Sequence, residues 1–371
     1  MGPRFESWSD HQLRKTAPAG CRFGYMSMSS QPPKPKIKIA YIDRKYWRKG
    51  FFALSIEKIF SQIERLLDKD RYDVSTVKLP FGNSALDLLL NLIMFRRPNA
   101  DIYHVTGQIH YIALVLPLDR TVLTIHDLVF LQGSINGLKK LVLKKLFLDW
   151  PVNRSKWITA VSETTKQEII SKTKCPPDKI KVIEDPVQDH FLNAERKEFN
   201  GSYPIVLHVG ITPNKNITRL IEALSGIKCR LKIVGNMTDE IRSALGSTDI
   251  DHEIVSELSD QDMRDAYQTA DMVAFCSTYE GFGLPIIEAQ SIGVPVVTSN
   301  LSPMKDVSGG AAALVDPFDV ESIRQGILRV INDDEFRNKI VNEGFANAKR
   351  FAPQRIAKQY QELYDEMLKA L

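Results

Sequence analysis

Two doubly wound α/β domains facing each other across a cleft are the fold class that the sequence predicts. Three observations carry it. Short apolar runs of strand length alternate with helix-like stretches through residues 36–365. A charged, turn-prone connection at 185–202 interrupts that rhythm near the middle of the chain. Beyond it the pattern restarts, with an apolar strand followed by the turn Gly210-Ile-Thr-Pro-Asn-Lys-Asn. At 371 residues and 43% hydrophobic, the chain has enough apolar material for two such cores.

Residues 1–35 are polar, with isolated aromatics and a Pro-rich end, Gln31-Pro-Pro-Lys-Pro, and read as a disordered lead. They lack the apolar h-region of a secretory signal, and Met26 or Met28 offers an alternative start. The first domain, 36–190, opens with a strand at 36–43, a loop holding Tyr46, Trp47 and Gly50, and a helix over about 51–68. Strand, glycine loop, helix is how nucleotide and sugar-phosphate folds often begin, although a plain βα turn reads the same way. Strands at 73–79, 102–104 and 121–125 follow, with helices at 85–95 and 109–116 between them. The strand at 121–125 delivers His126-Asp127 to the sheet's carboxyl edge, where α/β folds build their sites. GLKKLVLKKLFLDW at 137–150 reads as a basic amphipathic helix, with Leu138, Leu141, Val142, Leu146 and Phe147 on one face and Lys139, Lys140, Lys144 and Lys145 beside it. That pattern fits core packing, and it also fits a helix drawn to an anionic membrane surface. A strand at 157–161 leads to Ser162, the N-cap of a helix at 163–173, and a strand at 180–183 closes the domain.

The second domain, 191–352, starts with a strand at 205–209 and the Gly210 loop, which brings Lys215 to a strand-to-helix turn where a phosphate would sit. A helix at 217–224, a strand at 231–234 ending in Gly235, a helix at 240–245, a strand at 253–255 and a polar helix at 260–269 continue the alternation. The chain is organised around 271–300. There an apolar strand (272–276), a glycine-rich turn (277–283), a helix from Pro285 to Gly293 and a strand (294–298) make one βαβ unit. Glu280 lies in the turn and Glu288 in the first turn of the helix, seven residues apart by intervening count. Backbone N–H groups around Phe282, Gly283 and Leu284 suit an anion, and a carboxylate such as Glu288 suits the two hydroxyls of a ribose. Helices at 320–331, 335–350 and 353–371 complete the chain, the last a candidate to cross back to the first domain.

Composition removes several function classes. No apolar run approaches the ~18 residues of a membrane span. Cys21, Cys175, Cys229 and Cys276 are scattered, without zinc-type spacing or a disulfide framework, which fits a reducing cytoplasm. No GxGxxG follows the first strand and no GxSxG elbow occurs, against a dinucleotide enzyme and a serine hydrolase. Asp68-Lys-Asp70 and Asp249-Ile-Asp251 have the spacing of a metal-dependent transferase but lie in charged loops, as solvated acids do. Lys and Arg outnumber Asp and Glu over 31–190 and the balance reverses over 191–371. A basic first half favours an anionic partner; the acidic second half and the lack of a recognition motif argue against nucleic acid.

Glu280-Gly-Phe-Gly-Leu-Pro-Ile-Ile-Glu288 resembles the paired-glutamate motif of family 4 of the retaining, nucleotide-sugar-dependent glycosyltransferases, which have the GT-B architecture of two Rossmann-like domains. Val209-Gly210 to Lys215-Asn216 is similar to that family's phosphate loop. Leu258 to Met263, Ala266-Tyr267, Ala270-Asp271, Gly293 to Val297 and 311–317 resemble its flanking segments, and His126-Asp127 and Val161-Ser162-Glu163 its acceptor-domain landmarks. The resemblance implies that Glu288 holds the donor ribose and that Glu280 contacts the donor sugar near the breaking bond. By the same resemblance Phe282, Gly283 and Leu284 present amides to sugar and diphosphate, Lys215 neutralises the leaving diphosphate, and a backbone group near Leu258 touches the base. Gly210 belongs to the same loop, Gly50 would approach the donor phosphate, and His126 would lie near the reacting sugar. No metal or other cofactor is expected, because Lys215 and helix N-termini supply the counter-charge.

Two departures stand out. Ile211 occupies the place where the family often has arginine, and Gly50 stands alone where paired glycines are common. The implied activity is transfer of a hexose-type sugar to a glycan or lipid-linked acceptor, in cell-surface polysaccharide or glycolipid synthesis, by a cytoplasmic protein in peripheral contact with the membrane. A sugar-nucleotide epimerase of the same fold and a non-catalytic nucleotide-sugar-binding protein are the alternatives. Sugar, base, acceptor, linkage and oligomeric state are not legible in the residues.

Overall fold

The computed structural model describes residues 35–44, 55–82, 84–132, 137–192 and 198–371. Residues 36–371 form one compact unit. The lead over 1–34 and the loop carrying Tyr46, Trp47 and Gly50 lie outside the described residues.

The first half contributes β1 (Ile37–Asp43), β2 (Tyr72–Lys78), β3 (Ile102–Val105), β4 (Thr121–Ile125), β5 (Trp157–Ala160) and β6 (Ile180–Val182). They form a six-stranded parallel sheet in the order β2-β1-β3-β4-β5-β6. Its helices are α1 (Ser55–Leu66), α2 (Ala85–Met94), α3 (Leu138–Lys144), α4 (Trp150–Arg154) and α5 (Glu163–Thr173). The second half contributes β7 (Ile205–Val209), β8 (Arg230–Val234), β9 (Asp251–Val255), β10 (Met272–Phe275), β11 (Val296–Ser299) and β12 (Ala313–Val315). These make a second parallel sheet, in the order β12-β11-β10-β7-β8-β9. Its helices are α6 (Ile217–Leu224), α7 (Asp239–Gly246), α8 (Asp260–Thr269), α9 (Leu284–Ile292), α10 (Met304–Ser308), α11 (Val320–Asn332), α12 (Asp334–Ala348) and α13 (Pro353–Lys369). This is the doubly wound pair that the alternation predicts.

Helices on both faces explain the strand sequences. Every residue of β4 (TVLTI) and β10 (MVAF) is buried, so these strands read as apolar runs rather than alternating ones. The last helix belongs spatially to the first sheet. Ile356, Tyr360, Tyr364 and Met367 of α13 pack with Ile39 and Tyr41 of β1 and Ile59, Phe60 and Ile63 of α1. Polar contacts fix that seat: Tyr364 Oη lies 2.8 Å from His104 Nδ1, and Tyr72 Oη donates to Asp365 Oδ1 at 2.6 Å.

Two expectations need correction. The helix expected at 109–116 is a 3-10 segment, His110–Val115. The single helix expected over 137–150 is broken: α3 passes through a π-helical turn, Lys145–Asp149, into α4. Pro151 has no N–H to give the carbonyl of Phe147 four residues back, and that carbonyl accepts from His110 Nδ1 at 2.8 Å instead. The apolar residues consequently do not share one face. Leu146 and Phe147 pack on the core and Leu148 is fully buried, whereas Leu138, Leu141 and Val142 are exposed. Lys144 and Lys145 fold back onto Asp149, at 2.5 and 3.3 Å.

Candidate functional site

In the second sheet the strand order reverses between β7 and β10, so the loops leaving their carboxyl ends diverge and open a crevice. The Gly210 loop leaves β7 and the 277–283 turn leaves β10. Gly210 has φ +100, and a Cβ there would stand 2.9 Å from Lys215 Cε, so a glycine is what lets the lysine stem lie across its own loop. Pro213–Lys215 turns as a 3-10 segment, and Asn216, in the left-handed region at φ 62, opens α6. Asn216 Nδ2 donates to the carbonyls of Cys276 and Pro317, tying the loop to the end of β10.

Lys215 Nζ then meets Glu280 Oε1 at 2.7 Å and the Phe275 ring centroid at 4.6 Å. Asn214 closes the join, donating to the Tyr279 carbonyl at 2.9 Å while its own carbonyl accepts from Thr278 N–H at 2.8 Å. Asn214 was not singled out from the sequence; an Asn in a Pro-Asn-Lys turn carries no signal of the strand it will face. Ile211 is half-buried: its Cγ2 lies 2.3 Å from where a Gly235 Cβ would stand, and it packs against the second-sheet core. The position where an arginine was the family expectation is filled by packing.

Gly283, at φ +126, is the N-cap of α9 and makes no side-chain capping hydrogen bond. The helix begins at Leu284, so Glu288 falls just beyond the first turn rather than within it. Glu288 is 7% exposed and accepts from Tyr267 Oη at 2.6 Å. Burial pushes its carboxyl up to about 7, against the pull of the Tyr267 hydroxyl, Lys215 and Lys58. Tyr267 is fully buried and meets Phe191 edge-on. Phe282 is buried and edges Phe351, and Leu284 packs on the cores of both halves. Leu258 is half-buried, just ahead of the Ser259 capping box of α8.

From the first sheet, the end of β4 places His126 against the residue that follows β3. Its Nε2 lies 2.9 Å from the Thr106 carbonyl and its Nδ1 3.9 Å from Asp185 Oδ1. Burial alone would lower the imidazole's pKa, but Asp185, the Thr106 carbonyl and Asp127 outweigh it and leave it raised. Asp127 accepts from Gln108 Nε2 at 2.8 Å and from Val129 N–H at 2.9 Å. Asp43, ending β1, is pushed up to about 6 by burial, with Glu57 adding to the rise.

The two edges meet at Gly281. A Cβ on Gly281 would stand 1.9 Å from the His126 carbonyl oxygen, so no larger residue fits. The Gly281 carbonyl accepts from Ser162 Oγ at 2.7 Å and Thr165 Oγ1 at 3.1 Å, both at the start of α5. Ser162 is the N-cap that the sequence predicts, accepting from Thr165 N–H at 3.1 Å, and it reaches the other half as well. Lys215 and Glu280 are therefore brought together, Phe282, Gly283, Leu284 and Glu288 follow on the same turn and the helix it opens, and the backbone of His126 lies against that turn. The imidazole itself faces Thr106 and Asp185, and Gly50 lies outside the described residues. Among the described residues no group of three or more His, Cys, Asp or Glu could hold a metal ion, and Asp251 is engaged by Arg230 and Tyr203.

Comparison with known proteins adds a second line. The model for group 1 glycosyl transferases matches residues 190–346, and that for glycosyltransferase family 4 matches 76–190. An O-antigen chain mannosyltransferase B of Escherichia coli is 29% identical over 63% of this chain and 67% of its own length. A serotype-specific mannosyltransferase of Escherichia coli is 25% identical over 74% of this chain and 36% of its own, so the chain spans about a third of that relative. Among solved structures, the Anabaena HepE protein in complex with UDP and glucose superposes with a TM-score of 0.69 at 19% identity, covering 91% of this chain and all of that one.

Proposed function

Because the chain belongs to the GT-B glycosyltransferases of group 1 and family 4, we propose that it moves a hexose-type sugar from a nucleoside-diphosphate sugar to a hydroxyl of a glycan or lipid-linked acceptor, with retention at the anomeric carbon. Mannose is the narrower reading, taken from the names of the mannosyltransferase relatives. One observation carries the proposal: Lys215 and Glu280 converge at the strand-order reversal, beside the N-terminus of α9 and with Glu288 on that helix.

In this reading Glu288 accepts the ribose hydroxyls, and Lys215 with the amides of Phe282, Gly283 and Leu284 offsets the diphosphate charge. The bond from the anomeric carbon to the diphosphate oxygen breaks and its electron pair leaves with the diphosphate. The acceptor oxygen bonds to the same carbon on the face the diphosphate leaves, and its proton passes to a departing phosphate oxygen. Glu280 and His126 position the donor sugar and the groups around it. Lys215 and the helix terminus stand in for the counter-charge that a metal would otherwise bring.

A second feature supports peripheral contact with an anionic membrane at its cytoplasmic face. Leu86, Leu89, Ile93 and Met94 of α2 and Leu138, Leu141 and Val142 of α3 are all exposed. Tyr111 links α2 to the π-helical turn that follows α3, accepting from Asn91 Nδ2 at 2.9 Å and meeting the Phe147 ring at 5.2 Å. Exposed Arg96, Arg97 and Lys139 lie beside them. Among the described residues no helix is long and apolar enough to cross a membrane.

The test is thermal stabilisation by a panel of nucleoside diphosphates, with the wild type beside Lys215→Ala and Glu288→Ala. A ligand at a hundred times its dissociation constant adds about 2.7 kcal/mol. One base-specific shift lost in both variants supports the donor site, and no shift with any nucleotide would sink the transferase reading.

A further inference from the structure

The turn that presents Glu280 is fastened from both sides, and the fastening on the acceptor side runs through its neighbour. Tyr279 sends its phenol out of the second half and across to the first. Its hydroxyl accepts from Leu128 N–H at 3.1 Å and donates to Glu168 Oε2 at 2.8 Å. Leu128 follows His126-Asp127, and Glu168 stands on α5, the helix whose Ser162 and Thr165 hold the Gly281 carbonyl. On the donor side the Tyr279 carbonyl accepts from Asn214, and Glu280 pairs with Lys215. One residue thus carries a hydrogen bond to the phosphate loop through its backbone and two to the acceptor half through its side chain.

We propose that Tyr279 is a positioning residue for transfer: its hydroxyl, bridging Leu128 and Glu168, holds the Glu280 turn in fixed register with the His126 edge of the acceptor half. The proposal rests on the transferase reading above. The chemistry follows from geometry, since a donor sugar seated on the second half reacts only if the acceptor hydroxyl, held by the first, stands within about 3–3.5 Å of the anomeric carbon. A loose join between the halves leaves donor binding intact and spoils that approach. Burial raises the phenol's pKa, with Glu168 adding to the rise, so the hydroxyl keeps the proton it donates.

The experiment compares the full-length wild type with Tyr279→Phe, Glu168→Ala and the double variant. It reads nucleotide affinity by calorimetry, kcat and donor KM for transfer, and amide exchange at Leu128. Tyr279→Phe keeps the ring and its packing, so folding is checked by a melting temperature close to wild type. The proposal expects donor affinity within about twofold of wild type, kcat lower by tenfold or more, and faster exchange at Leu128. Glu168→Ala should lower kcat in the same direction, and the double variant should fall no further than the worse single one, because both remove one bridge. Wild-type kcat in Tyr279→Phe overturns it, as does a matching loss of donor affinity, which would make Tyr279 part of the donor site. Exchange at Leu128 decides separately from catalysis. Faster exchange in a protein that binds no nucleotide would retain the bridge and reject the transferase reading; unchanged exchange rejects the bridge while leaving that reading intact.

Discussion

Lys215 Nζ stands 2.7 Å from Glu280 Oε1 while resting 4.6 Å over the Phe275 ring. The pair joins loops from β7 and β10, adjacent strands whose connections run in opposite directions. Both side chains are largely buried, at 16% and 13% exposure, so removing either leaves the other without its ion-pair partner.

Removing the lysine should therefore have two separable effects. On the proposed reading Lys215→Ala loses a charge-assisted contact to the diphosphate, which should cost about 1.5–3 kcal/mol, or roughly ten- to a hundredfold in affinity. It also strands Glu280 and lowers the melting temperature. Adding Glu280→Gln should restore the melting temperature without restoring nucleotide affinity. Calorimetry beside thermal melts checks this, and recovery of both together would show that the lysine acts only as a structural partner.

Gly281→Ala forces a methyl into the His126 carbonyl, where 1.9 Å is available. The halves must part or the turn must shift, at a cost of about 1–3 kcal/mol as in other overpacked sites. Nucleotide binding should persist while transfer falls more than tenfold. Equal activity in the variant would mean that this contact is absent during turnover.

Glu288 gives a pH dependence with a definite sign. Its carboxyl is raised from 4.5 to about 7 by burial, so the fold favours the protonated form. The stability tied to this group is complete below about 4.5 and is lost as pH rises through about 7, on the order of 3 kcal/mol in all. Glu288→Gln should flatten that loss and melt higher than the wild type at pH 8. Nucleotide affinity should run the other way in the wild type, rising between pH 6 and 8 as the carboxylate forms to accept two ribose hydroxyls. A wild-type affinity that is flat over this window counts against Glu288 as the ribose ligand.

The exposed faces of α2 and α3 are tested with anionic vesicles. Leu138→Ser with Leu141→Ser should cut co-sedimentation several-fold. Reversing Lys139 and Lys140 to Glu should weaken binding further at low salt, at ~1 kcal/mol per basic residue near the surface. Lys144 and Lys145 are engaged by Asp149, so reversing them should lower stability more than vesicle binding. Unchanged sedimentation in the leucine variant removes the membrane contact.

Much of the architecture was legible because period and burial coincide. Strands covered on both faces are buried throughout, as in β4 and β10, and glycines of positive φ mark turns of the chain, Gly210 where the loop leaves β7 and Gly283 where α9 begins. Lys215 and Glu288 could be picked out from their places beside strand-to-helix turns, and the resemblance of the surrounding motifs to a glycosyltransferase family is what joined them with Glu280 as a set. The 137–150 segment was misjudged because helical periodicity assumes an unbroken hydrogen-bond ladder. Whether Pro151 breaks it depends on His110 being at hand to take the Phe147 carbonyl.

The sequence by itself determined the alternation of strands and helices in two α/β halves, the resemblance to a glycosyltransferase family and the turns that carry Lys215 and Glu280, since each depends on residues near one another in the chain; the strand order that sets those two turns side by side was not among them. Tertiary structure alone decided that Gly281 abuts His126, that Tyr279 reaches Leu128 and Glu168, that Tyr267 caps Glu288 and that Ile211 fills the space beside Gly235. Two of those contacts cross between the halves and two lie within the second half; none is fixed by a helical or strand period, so the direction of each side chain is set by how the elements pack around it.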